Sequence, residues 1–191
     1  DFVLLRNRIE FELAMLDERE TAAATMAPLV PFAEAITALQ QTRHAGERPA
    51  ARGSAETVDD IAEQAEALTA RVQAGDVPGG AIEPVLALRA SDWVESLAAT
   101  LENWYTFGAG YDPLFTWWTE KPNTRAREAL ATYAAAIDEK LSGGGSKVVV
   151  GLPIGEEGLA PHLRHEMIPY TAQELIAIAE KEFQWMEAEL V

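Results

Sequence analysis

The chain has 191 residues, 48% of them hydrophobic, with 31 acidic against 15 basic side chains, a formal charge of −16 and no cysteine. That apolar content can fill a core and excludes a disordered chain, the acidic excess repels phosphate backbones and excludes nucleic acid as a partner, and the missing cysteines exclude disulfides and thiolate zinc sites. No apolar run reaches the ~20 residues that span a bilayer, so no membrane span is expected. Asp1 to Arg6 has neither the basic region nor the cleavage site of a signal peptide, which leaves localisation and export open. Asp1 and the uncapped Val191 read as cuts through something longer. Ala, Leu, Glu and Gln outweigh the β-branched residues, which predicts an all-α protein of about six to seven helices.

In chain order, Phe2, Leu5, Ile9, Leu13 and Leu16 recur at helical spacing and predict an amphipathic helix to about Ala24, its apolar face needing a partner. Pro28 and Pro31 break it. Phe32, Ile36 and Leu39 then begin a second helix that fades near Arg43. An exposed link over 44–54 leads to a third helix, starting at Ser54 or Glu56 and carrying Val58, Ile61, Ala65, Leu68 and Val72. Pro84 suits the first turn of a fourth helix that runs to Trp104 through Leu86, Trp93, Leu97 and Leu101. A fifth covers Thr124 to Leu141, stopped by the joint 142–146, and Lys147 to Val150 predicts at most a very short strand. A short helix over Glu156 to Met167 precedes a last one with a capping box, Thr171 with Glu174, and a hydrophobic staple, Tyr170 with Leu175. The organisation expected is a single helical domain over 1–191, or a fragment of a larger protein, with a subdivision into a helical hairpin region, 1–80, and an aromatic-rich region, 81–191.

The densest feature is Asn103 to Trp118, which holds three of the five tryptophans, two of the four tyrosines and two of the six phenylalanines. Interrupted by Gly108, Gly110 and Pro113, it reads as an irregular connection, either a core turn or a recognition floor. Together with Leu4-Leu-Arg-Asn-Arg8, Met26-Ala-Pro-Leu-Val-Pro-Phe32, Gly110-Tyr-Asp-Pro-Leu-Phe-Thr-Trp-Trp118, Pro153-Ile-Gly155, Glu166-Met-Ile-Pro-Tyr-Thr171 and Glu174-Leu-Ile-Ala-Ile178, it resembles the N-terminal half of the family known as domain of unknown function 885. The resemblance implies a mostly helical, zinc-metallopeptidase-like hydrolase whose metal motif lies downstream of these segments. Zinc is therefore implied for the full-length family and not for this chain, which has no His-Glu-x-x-His and no Pro-Gly-His-His run. The partner implied is a C-terminal catalytic half, or else self-association through an apolar patch, with a peptide as ligand.

The candidate contacts are Tyr111, Asp112, Trp117, Trp118 and Tyr170. Asp112 before Pro113 favours a turn that presents aromatic faces beside a carboxylate. The competing reading makes Trp117 and Trp118 core wedges between helices. Adjacent tryptophans point about a hundred degrees apart on a helix, so at most one faces a cleft. His162, His165 and Glu166 form the one histidine-carboxylate cluster and share a helix face, yet they match no zincin spacing, so a solvated polar face competes with metal binding. Glu156, Glu157, Glu166 and Asp112 give no carboxylate pair beyond chance among 31 acidic residues. Gly151 to Gly155 lacks the Lys and Ser/Thr of a phosphate loop. The two function classes left are the helical part of a metallopeptidase-like protein and a non-catalytic peptide- or sugar-binding or oligomerisation module.

Overall fold

The computed structural model describes residues 2–46, 49–143, 151 and 153–189. Among them are seven α-helices and no strand: α1 (Phe2–Met26), α2 (Ala33–His44), α3 (Ala51–Gln73), α4 (Pro84–Ala109), α5 (Pro113–Ile137), α6 (Gly155–His165) and α7 (Ala172–Glu189). The protein is all-α. No single one of these helices is long and apolar enough to cross a membrane. The chain groups into two compact units, residues 22–151 and residues 1–21 with 152–191. Neither is bounded at residue 80, because the helices before and after that point share a core: α3 packs along α5.

In the larger unit, the apolar residues of α3 recur every three or four positions, and Val58, Ile61, Ala62, Ala65 and Val72 are sealed from water. They meet Ala126, Leu130 and Ile137 of α5 and Val94, Leu101 and Trp104 of α4 in one continuous core. Phe32, just ahead of α2, meets Tyr133 edge-on, with ring centroids 6.2 Å apart. Buried polar groups are paired locally: the Tyr133 hydroxyl donates to the Leu29 carbonyl at 2.8 Å, and Ser91 donates to the Ala134 carbonyl at 3.0 Å. Outside, Arg125 of α5 grips α3 with a fork, donating to both oxygens of Glu66 at 2.9 and 2.8 Å and to Asp59 at 2.9 Å.

Helix boundaries depart from the sequence reading at the aromatic block. α4 runs on past Trp104 to Ala109, and α5 begins at Pro113 instead of Thr124, so the irregular connection shrinks to Gly110–Asp112. The reason is capping. Asp112 accepts hydrogen bonds from the Leu114 and Phe115 amides at 2.9 and 3.2 Å, and Pro113 occupies the first helical position, where no N–H is needed. Pro122, inside α5, cannot donate to the carbonyl of Trp118, and the helix continues through it to a π-helical turn at Asp138–Ser142. Gly143 ends that turn at φ +105°. The short strand expected over 147–150 and residues 144–146 of the joint lie outside the described residues.

In the smaller unit, α1 turns a different face inward from the one its apolar stripe indicates. Phe2, Leu5, Ile9, Leu13 and Leu16 stay exposed. Instead Asn7 donates to the His165 carbonyl at 2.9 Å, and Phe11 packs against α6. No described side chain of this unit is buried. The capping box before α7 forms as its sequence requires: the Thr171 amide donates to Glu174 at 2.8 Å, and the Glu174 amide donates to the Thr171 hydroxyl at 3.2 Å. That hydrogen bond from the Thr171 amide holds the Glu174 carboxyl below its ordinary value.

Candidate functional site

The bend between α4 and α5 builds a recess within the larger unit. Asp112 and Pro113 fix where α5 starts, and that start decides where Phe115 points. The Phe115 ring lies against Gly108 so closely that a Cβ there would stand 2.5 Å from its edge. Only a glycine admits the contact. Phe115 also meets Trp104 edge-on with centroids 5.1 Å apart, and both rings are buried.

Above this floor opens a recess of about 490 Å³, lined by Trp104, Phe107, Gly108, Tyr111, Asp112 and Phe115 together with Arg43, Gly46 and Pro49. Phe107 and Tyr111, with centroids 5.9 Å apart, form an aromatic rim, and Tyr111 is 85% exposed. The Arg43 guanidinium sits 4.4 Å above the Phe107 ring, a cation–π arrangement that flattens it against the wall. Its Nη1 donates to the Asn103 carbonyl at 3.3 Å and to Gln40 at 3.5 Å. Tyr105, one turn from the recess, packs against Phe115, and burial first, then Glu120 and Glu102, raises its phenol. Among the described residues the lining is mostly aromatic, with the Arg43 guanidinium and the Asp112 carboxylate, the make-up of a small-ligand or peptide contact, and no described serine or histidine stands in its wall as nucleophile or base.

The residues that the sequence puts forward divide accordingly into those at the recess and those elsewhere. Tyr111 and Asp112 line the recess, although Asp112 Oδ1 is engaged in capping α5. Trp117 is neither wedge nor wall: it is 71% exposed on the surface of α5. Trp118 is half-buried with its ring perpendicular to that of Trp117, and the Arg52 guanidinium stands 5.8 Å over it. Tyr170 belongs to the smaller unit. So do His162 and His165, whose rings pack on Phe11, one edge-on at 5.1 Å and one stacked at 4.2 Å. Among the described residues no group of three His, Asp or Glu side chains is placed to hold a metal ion, so Glu166 completes no site there and the residues present do not fit a zinc ion.

Arg43, Phe107 and Trp104 carry no individual mark in the sequence. The two aromatics stand inside the dense block, on α4 just ahead of Tyr111, and that placement is the available signal. Arg43 lies 60 residues before Asn103, and nothing local distinguishes it. No family model, curated protein or solved structure matches the chain.

Proposed function

We propose that this chain is the N-terminal, helical, non-catalytic part of a zinc-metallopeptidase-like protein of the domain of unknown function 885 family, and that the recess under Tyr111 is where it touches a peptide. One observation carries the reading: the segment most characteristic of the resemblance, Gly110 to Trp118, supplies the rim at Tyr111, the helix start at Asp112 and Pro113, and the floor at Phe115. Hydrolysis and zinc are assigned to a catalytic half outside this sequence, since the described side chains offer no set of zinc ligands. A non-catalytic binding or oligomerisation module is the second reading. The apolar side chains that the smaller unit exposes, among them Leu5, Leu13, Phe183 and Trp185, favour it through self-association.

A titration of the whole chain with N-acetyl-Ala-Phe, followed through the Trp104 indole N–H by NMR, tests the recess. Binding that shifts Trp104 and is weakened by Phe107→Ala and Tyr111→Ala supports the peptide contact. The absence of any shift, or a shift left unchanged by both variants, overturns it.

A further inference from the structure

We infer that the recess reads the C-terminal end of a peptide, with Arg43 pairing with the terminal carboxylate and the aromatic floor taking a large apolar last side chain. This rests on the reading of the recess as a peptide contact and specifies which part of the peptide it takes.

Three observations carry it. Arg43 is half-buried, stacks on the face of Phe107 and donates to the Asn103 carbonyl. A planar fork braced by such contacts loses less freedom per hydrogen bond formed than a flexible ammonium. Only Nη1 of the guanidinium has a hydrogen-bond partner among the described residues, and no carboxylate pairs with it there, which leaves Nε and Nη2 with donors to offer. A carboxylate is the group whose two oxygens match that fork.

The third observation is size and lining. A volume of about 490 Å³ lies in the range of sites that take a drug-sized ligand, so the recess matches a few residues at the end of a chain better than a long extended segment. Buried Trp104 and Phe115 form a largely apolar floor, suited to an apolar side chain. The recess also holds a carboxylate, Asp112, whose Oδ1 already accepts from the Leu114 and Phe115 amides, so among the described lining the charged donors on offer to an incoming anion are those of Arg43.

The experiment compares N-acetyl-Ala-Phe with its C-terminal amide and with 3-phenylpropionate, by calorimetry and by the Trp104 indole signal, on the whole chain and on Arg43→Gln and Arg43→Lys. The free acid is expected to bind about tenfold tighter than the amide. Arg43→Gln should abolish that preference, and Arg43→Lys should keep part of it. Circular dichroism verifies that each variant folds, and if Arg43→Gln does not, the acid-to-amide ratio on the unaltered chain decides alone. Equal binding of acid and amide overturns the carboxylate assignment while leaving the peptide contact standing. Phenylpropionate binding as tightly as the peptide acid overturns the peptide as source. Failure of all three to bind takes down the recess reading as well.

Discussion

Gly108→Ala is the sharpest test of how the recess is built. In α4 the added methyl would stand 2.5, 2.8 and 2.9 Å from three atoms of the Phe115 ring, well inside van der Waals contact. The ring has little room to retreat, being 1% exposed and held edge-on by Trp104. Overpacking of this kind costs about 3 kcal/mol, at the upper end of the usual range. Alanine recovers at most about 1 kcal/mol of helix propensity over glycine. The net expectation is a loss of about 2 kcal/mol, read as a lower urea midpoint in circular dichroism with an unchanged slope. Phe115→Leu in the same chain should relieve part of the clash, giving a coupling between the two positions in a double-mutant cycle. A Gly108→Ala variant as stable as the parent would refute the close approach of α4 and α5 and, with it, the floor of the recess.

Tyr133→Phe should cost about 1–2 kcal/mol in the same assay, because it strands the buried Leu29 carbonyl without its donor; an unchanged midpoint would show that bond to be absent. Acid should destabilise the protein in a defined direction. Glu66, through its hydrogen bond from Arg125, Asp76, through that from Arg71, and Glu174, through that from the Thr171 amide, all sit below their ordinary values. Groups lowered in the folded state contribute stability that is complete above their unfolded values, 4.5 for glutamate and 3.8 for aspartate, and lost as pH falls through the folded ones. Urea midpoints between pH 6 and 3 should therefore fall, and the fall should shrink in Glu66→Gln; a flat profile would remove these pairs from the account.

Where a helix buries a stripe against its own neighbours, the sequence is enough. Val58, Ile61, Ala65, Leu68 and Val72 are all buried in α3, and Thr171 with Glu174 marks the start of α7 to the residue. Where burial depends on which neighbour arrives, periodicity misleads. The stripe from Phe2 to Leu16 stays exposed, and Phe11 on another face of α1 makes the contact. The aromatic block shows a third case. Its glycines and Pro113 read as breaks, whereas Asp112 converts the proline into a helix start and Gly108 serves close packing instead of a turn. Arg43 lies beyond sequence reasoning because its site exists only once α2 lies beside α4.

The absence of buried side chains among the described residues of the smaller unit has a kinetic side. A helix with no sealed core opens locally at little cost, so amides in α6 and α7 should exchange with solvent long before those of α3 and α5. A protease would enter there first and leave the 22–143 bundle standing for a time. The protein would then unfold in two stages, with the recess surviving the earlier one.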